Sequence, residues 1–120
     1  MNNIVIYKIG RNGCPPCNTF EMVKKDIERM CKYPIISIQH EDLDKLQGTD
    51  ITVEGHTVTV PYMKDIIWTF PKILIYDKET LIGTLRFRVD KYNKLSTFIT
   101  NMNNIIKEYI DNKLQIDDNE

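Results

Sequence analysis

The sequence has no excess of either charge, because 16 Lys and Arg residues are balanced by 17 Asp and Glu residues in a chain of 120. A nucleic-acid-binding domain normally has a basic excess or a basic face, so this balance argues against that class. No apolar run reaches the roughly 18 residues that suggest a membrane-spanning helix. The N-terminus has neither a basic region nor a cleavable apolar stretch. We therefore expect no signal peptide and a cytoplasmic location, or the cytosol of a host cell for a viral protein.

Cysteine is also scarce, with three residues in the chain. In a reducing compartment, so few cysteines favour catalytic or metal-binding roles over a disulfide framework. Their odd number leaves one cysteine unpaired in any scheme with a single disulfide. The length predicts one domain with one core, and we expect a monomer.

The sequence pattern predicts alternating strands and helices. Residues 4–9 form a β-rich run, residues 15–31 carry apolar side chains at helical spacing, and residues 35–38 form a second β-rich run. A strand, a helix and a strand in so short a segment favour parallel strands with a right-handed crossover. Residues 72–76 and 81–87 predict two further strands that run antiparallel to each other.

The segment 41–60 interrupts this pattern with a predicted hairpin. A two-residue turn at 55–56 pairs Val53 with Val58 and places the apolar residues of both arms on one face. Glycine in the first turn position suits a type II′ turn. We therefore predict an inserted hairpin near 51–60.

The last part of the chain predicts a helix followed by a tail. Asp90 is suited to cap this helix, because its side chain can accept hydrogen bonds from the free amides of the first turn. Apolar residues between 95 and 110 recur at helical spacing. Residues 113–120 are polar and acidic, so the predicted domain spans residues 1–112, with 41–60 as an insertion.

The strongest chemical signal is Cys14-Pro15-Pro16-Cys17, between the first strand and the first helix. Two cysteines three residues apart at a helix start can bond with little change in the backbone. The first-turn amides and the helix dipole stabilise negative charge on the first cysteine and raise its thiolate fraction. We therefore predict that Cys14 attacks a substrate disulfide and that Cys17 resolves the mixed disulfide. The alternative is a packing or metal-ligating pair that has this spacing.

With these residues, the sequence resembles the thioredoxin superfamily over most of its length. The segment from Gly13 to Cys17 is similar to a glutaredoxin active site, since a thioredoxin has tryptophan before the first cysteine. The segment Thr69-Phe70-Pro71, directly before the third core strand, is similar to the cis-proline loop of the family. The resemblance implies a thioredoxin-like three-layer α/β fold, with a mixed four-stranded core sheet and flanking helices.

The resemblance implies a small dithiol–disulfide oxidoreductase that reduces protein disulfides and holds no bound cofactor. Its electrons would come from glutathione or a flavin disulfide reductase. It also implies that Pro71 is cis and that the Phe70 backbone pairs with an extended substrate, whereas the alternative is an ordinary proline at a strand entry. The proline before the second cysteine goes with reducing members of the family. The residues implied in substrate binding are Arg11, Pro15, Pro16, Phe70, Pro71 and Gly83.

The sequence departs from both family patterns. Glutaredoxins have two glycines in the returning strand and then an acidic pair that holds glutathione. Here Gly83 stands alone and no acidic pair follows, which argues against tight glutathione binding. Arg11 lies where glutaredoxins often carry a lysine for a glutathione carboxylate, although an exposed loop arginine is commonly just solvated. Thioredoxins keep a buried acid on the first core strand, where this chain has Lys8.

Two other functions compete with the oxidoreductase: a redox-inactive thioredoxin-like interaction module, and a glutaredoxin-type metal or iron–sulfur carrier. Cys31 is interpreted as a small buried residue or as a regulatory thiol. It is separated from Cys14 by a predicted helix about 25 Å long at 1.5 Å per residue, so no single zinc ion binds both. Trp68 and Phe70 either join the core or form an apolar rim for a protein partner.

Overall fold

The computed structural model describes residues 3–88 and 94–118, and these residues alternate between strands and helices. In chain order the elements are β1 (Ile4–Gly10), α1 (Pro15–Cys31), β2 (Ile35–Gln39), α2 (Leu43–Leu46), β3 (Asp50–Val53), β4 (His56–Thr59), β5 (Lys72–Asp77), β6 (Thr80–Arg86) and α3 (Leu95–Asp118).

The main sheet has four strands in the order β2-β1-β5-β6. β1 and β2 are parallel and are joined through α1, whereas β1 with β5 and β5 with β6 are antiparallel. The predicted β–α–β unit and the mixed four-stranded sheet are therefore confirmed. β1 lies inside the sheet, so the loop between β1 and α1 begins at the middle of the sheet edge.

The two faces of the sheet are covered by different parts of the chain, which gives three layers. Alternate residues of β1 point to opposite faces, as in any strand. Ile6 packs in a cluster with Phe20 of α1 and Met102 of α3. Tyr7 packs on the other face in a cluster that contains Leu43 of α2, together with side chains from the β3–β4 hairpin. No helix among the described residues is long and apolar enough to cross a membrane.

The predicted hairpin is present, but its turn lies one residue earlier than expected. Glu54 and Gly55 form the turn with φ values of 50° and 82°, and Val53 pairs with His56. Positive φ at both central residues belongs to a type I′ turn, whose twist matches the twist of the flanking strands. The predicted type II′ turn at 55–56 is therefore wrong.

The shifted turn changes the partners of the apolar residues but not their shared face. Ile51 pairs with Val58 instead of Val60, and these side chains pack with Val53 against the core. Val60 instead bonds to the chain before the hairpin, since its amide donates to the Thr49 carbonyl at 2.9 Å. Val60 is fully buried as a result.

The final helix α3 continues to Asp118, beyond residue 112 where the sequence pattern predicts the start of a tail. Within these added turns, Lys113 Nζ lies 3.5 Å from a carboxylate oxygen of Asp77 at the end of β5. This contact joins the first residue of the predicted tail to the end of β5. The predicted cap Asp90 lies outside the described residues.

Candidate active site

The centre of the candidate site is a disulfide between Cys14 and Cys17 at the N-terminus of α1. Cys14 is the N-cap residue, with extended φ and ψ of −112° and 100°, and its Cα lies 5.2 Å from that of Cys17. Pro15 and Pro16 fill the first two helical positions, where no backbone N–H is needed for the helix. Gly13 precedes the cap with φ +72°, a conformation that glycine adopts without strain.

The two sulfurs have different surroundings. The Cys17 amide donates a hydrogen bond to Cys14 Sγ at 3.3 Å, so the helix N-terminus points toward the Cys14 sulfur. An amide donor and the positive end of the helix dipole both favour a thiolate at this position. Cys17 lies one turn further in, is 3% exposed and receives no such bond in the described structure. The arrangement suits Cys14 as the attacking sulfur and Cys17 as the resolving sulfur.

The segment before β5 lies beside the disulfide. The peptide bond between Phe70 and Pro71 is cis, and Pro71 is buried. The half-buried Phe70 ring lies between the Arg11 guanidinium, 5.1 Å from the ring centroid, and the His40 ring, whose centroid is also 5.1 Å away. Trp68 is 82% exposed, so it does not join the core.

A groove is bordered by Pro15 and Pro16, the residues between the two cysteines, and brings together residues from three parts of the chain. It is lined by Pro15, Pro16, Thr19, Phe70, Arg86, Phe87 and Arg88. Three of the predicted substrate-binding residues therefore share one surface, and Arg11 contacts that surface through the Phe70 ring. The arginines of the groove were not predicted. They follow from strand pairing, because Arg86 pairs with Lys72, the residue after Pro71.

Gly83 lies elsewhere, in the middle of β6 opposite Ile75. A Cβ placed on it would fall 2.6 Å from Cγ2 of Ile105 on α3. Real Cβ atoms do not approach other atoms so closely, so this glycine allows α3 to pack on the sheet. Its implied part in substrate binding stays a prediction.

Lys8 lies beneath the disulfide on the same face of β1 as Gly10. It is 5% exposed, and its ammonium group binds a carboxylate oxygen of Glu21 on α1 at 2.8 Å. Burial alone raises the pKa of Glu21, but the hydrogen bond and charge of Lys8, with further polar contacts, outweigh burial and lower this pKa below its usual value. Glu21 is therefore ionised at neutral pH.

Cys31 lies at the far end of α1, where it is buried and carries a free thiol. Burial raises its pKa, so little thiolate forms at neutral pH. Residues 3–88 and 94–118 contain no group of three His, Cys, Asp or Glu side chains that could hold a metal ion.

Comparison with known proteins gives a fold but no family. No family model matches the sequence, and no curated protein matches it. Among solved structures, thioredoxin 1 from Thermosipho africanus is 16% identical, with a TM-score of 0.54 over 91% of this chain and 97% of that one. Oxidised thioredoxin from Plasmodium falciparum is 14% identical, with a TM-score of 0.54 over 84% of this chain and 82% of that one.

Thioredoxin f2 from Chlamydomonas reinhardtii is similar in the same way, with 16% identity and a TM-score of 0.53 over 87% of this chain and 80% of that one. Such identities are too low to transfer an activity, because one fold supports many functions. The chain has a thioredoxin-like fold, and it carries a disulfide at CxxC spacing at the start of its first helix.

Proposed function

We propose that this protein is a small thiol–disulfide oxidoreductase that reduces protein disulfides. The observation that carries the proposal is the Cys14–Cys17 disulfide at the N-terminus of α1, beside an open groove, in a thioredoxin-like fold. A helix N-terminus is where a cysteine gains thiolate character. The free Cys31 is buried at the other end of the helix and takes no part.

The reaction passes two electrons and two protons from the protein to its substrate. The Cys14 thiolate attacks one sulfur of the substrate disulfide, and the other substrate sulfur leaves as a thiolate that takes a proton. Cys17 then loses its proton and attacks Cys14 Sγ. The bond between Cys14 and the substrate breaks, the second substrate thiol leaves, and the Cys14–Cys17 disulfide forms again. No bound cofactor is needed.

The groove provides the surface on which a substrate chain would lie. Phe70 and Pro71 come directly before β5, and Phe70 lines the groove together with Pro15 and Pro16. We propose that these residues, with Arg11 against the Phe70 ring, hold an extended substrate segment next to the disulfide. The proline before Cys17 supports a reducing role, and Gly13 before Cys14 supports a glutaredoxin-like subtype. We further propose that the protein works as a monomer in the cytoplasm.

The test is reduction of a protein disulfide by Cys14→Ser, Cys17→Ser and Cys31→Ala variants. Cys14→Ser should abolish turnover, and Cys17→Ser should accumulate a mixed disulfide that intact mass spectrometry detects. Cys31→Ala is the matched control and should keep the wild-type rate. Wild-type turnover by Cys14→Ser would contradict the mechanism.

The electron donor is tested by running the same assay with two donor systems. One arm supplies glutathione with its reductase, and the other supplies a flavin thioredoxin reductase. Because no acidic pair follows Gly83, we expect weak coupling to glutathione. Full activity with glutathione would show that other groups, such as Arg11, hold its carboxylates.

A second candidate function is a redox-inactive interaction module, and exposed aromatic residues favour it. Trp68 and Tyr62 are 82% and 77% exposed, and exposed large aromatic side chains often serve as contacts for partners. Intact mass in mild redox buffers separates the two functions. An oxidoreductase gains and loses two hydrogens reversibly, whereas an interaction module shows no such dependence.

A further inference from the structure

Lys8 is a buried cation that the reaction as described above does not use. Lysine is almost never buried unless it is paired, because removal of its charge from water is costly. Here the side chain is 5% exposed, its ammonium binds Glu21 at 2.8 Å, and it lies 5.9 Å from the centroid of the Phe20 ring. A methionine or leucine would fill this place in the core without that desolvation cost. A function of the charge would explain why a lysine is found here.

The ammonium group lies next to the sulfur of Cys17. A Cβ placed on Gly10 would fall 3.1 Å from Lys8 Nζ and 3.3 Å from Cys17 Sγ. The two atoms therefore cannot be further apart than the sum of these distances. Glycine at position 10 leaves the space between them free of a side chain, and Gln39 Oε1 borders the same space at 3.2 Å from that point.

The other charged groups near this space do not cancel the charge of Lys8. Glu21, one helical turn after Cys17, has a side chain that is 42% exposed, so water screens its charge. Lys24 lies near enough to Glu21 to lower its pKa further and adds positive charge on that side. Lys8 itself is shielded from water. The exposed carboxylate of Glu21 therefore offsets only part of the buried Lys8 charge.

On the premise that Cys14 and Cys17 are redox-active, we infer that the Lys8 ammonium stabilises the thiolate of Cys17 and so promotes the resolving step. Glu21 pairs with Lys8 at 2.8 Å and screens part of its charge. In this step the Cys17 proton leaves to solvent, and the thiolate attacks Cys14 Sγ. The electron pair of the broken bond leaves with the substrate sulfur, which takes a proton from solvent.

The same charge sets how readily the protein is reduced. A cation next to a thiolate stabilises the reduced dithiol more than the uncharged disulfide. Lys8 therefore makes the protein a weaker reductant than the same fold would be without it, while it speeds release of the substrate. These two effects come from one interaction, so one set of variants tests both.

The test uses Lys8→Met, which removes the charge but fills the same volume, with Lys8→Arg and Glu21→Gln as matched variants. The fraction of reduced protein is measured in glutathione redox buffers at pH 7. Lys8→Met should lower the equilibrium constant for reduction about tenfold, which is about 30 mV for a two-electron couple. Lys8→Arg should stay close to wild type. Glu21→Gln should shift the constant in the opposite direction, because it removes the screening carboxylate.

A second readout does not depend on turnover. In a Cys14→Ser background, the ultraviolet absorbance of the Cys17 thiolate is followed against pH, with and without Lys8→Met. The added substitution should lower the ionisation constant of Cys17 about tenfold. Both proteins also carry Cys31→Ala, so that the absorbance reports the Cys17 thiolate alone. If Lys8→Met does not fold, the sign of the Glu21→Gln effect still tests the inference.

Three results would overturn the inference. The first is an unchanged Cys17 titration in Lys8→Met. The second is a change of the equilibrium constant for reduction in the same direction in Lys8→Met and Glu21→Gln, which indicates a structural role for the pair. The third is a Glu21→Gln variant that makes Cys17 harder to ionise. If instead the wild type forms no reversible disulfide in redox buffers, the proposed function fails, while the Cys17 titration still decides the role of Lys8.

Discussion

Replacement of Gly83 by alanine should destabilise the protein by a packing clash with α3. The added Cβ would fall 2.6 Å from Cγ2 of Ile105, whereas carbon atoms attract each other best at roughly 3.5–4.0 Å. Ile105 has little freedom to turn away, because β-branched side chains in helices keep one strongly preferred χ1 rotamer. The helix must therefore move away from β6, or the side chain must adopt a strained rotamer.

The size of the effect follows from two opposing contributions. An extra methyl group in a filled site costs about 1–3 kcal/mol. Alanine also restricts the unfolded chain, which returns about 0.4–1 kcal/mol where the native backbone suits it. We therefore expect a net loss of roughly 1–2 kcal/mol in the free energy of unfolding. For a chain of this size, that lowers the melting temperature by roughly 3–10 °C.

Ile105 variants provide the control for this prediction. Leucine has no Cγ2, so Ile105→Leu should relieve the clash and restore much of the stability of Gly83→Ala. Valine keeps a methyl group on Cβ, so Ile105→Val should restore little. Gly83→Ala, the two single Ile105 variants and the two double variants form two double-mutant cycles with wild type. Measured by urea and thermal unfolding, only the leucine cycle should show a favourable coupling.

The outcome also separates the packing role of Gly83 from its implied role in substrate binding. Unchanged stability of Gly83→Ala would refute the packing argument, and so would equal rescue by leucine and valine. A rise in KM for disulfide reduction without loss of stability would instead support a role in substrate binding. We expect loss of stability with little change in kcat/KM at temperatures where the variant is folded.

Three further predictions concern other parts of the molecule. Tyr109→Phe removes a 2.7 Å hydrogen bond to the Asp77 carboxylate and should lower the free energy of unfolding by about 1 kcal/mol at pH 7. Burial alone raises the pKa of Asp77, but hydrogen bonds and the nearby Lys113 charge lower this pKa below its usual value. The carboxylate therefore stabilises the fold at pH values above its unfolded pKa of about 3.9. This stabilisation is lost as the pH falls through the lower pKa of the folded state. The difference between wild type and Tyr109→Phe in urea unfolding should therefore shrink below about pH 4, and a constant difference would contradict the assignment. Glu54→Asn should raise the melting temperature, since asparagine tolerates the positive φ of the type I′ turn better than glutamate, and no gain would count against backbone strain at this position. In the reduced native protein at neutral pH, a thiol reagent should label Cys31 more slowly than Cys14. Burial raises the pKa of Cys31, whereas the helix N-terminus favours a thiolate on Cys14, so equal labelling rates would contradict this difference.

The elements that depend on local pattern were predictable from the sequence. Strand β1, helix α1 and strand β2 follow from apolar spacing, and the disulfide-forming pair follows from two cysteines at a helix start. Each of these features depends on residues within one or two helical turns. Local spacing therefore predicted the β–α–β unit and the chemical centre of the site, whereas the thioredoxin-like fold was predicted from the resemblance to that superfamily.

The hairpin marks the limit of this reasoning. Turns at 54–55 and at 55–56 both place the apolar residues on one face, so the hydrophobic pattern does not distinguish between them. The choice depends on the positive φ of Glu54 and on Val60, which bonds to Thr49 instead of Ile51. Backbone twist and contacts outside the hairpin decide the register.

The sequence by itself determined a thioredoxin-like α/β chain with a dithiol at the start of its first helix. The tertiary structure alone decided what surrounds that dithiol. Lys8 and Cys17 are adjacent because neighbouring elements of the sheet and α1 converge at Gly10, and the arginines of the groove lie beside Phe70 because β6 pairs with β5. Such proximities depend on how distant segments pack, and no periodicity or short motif encodes them.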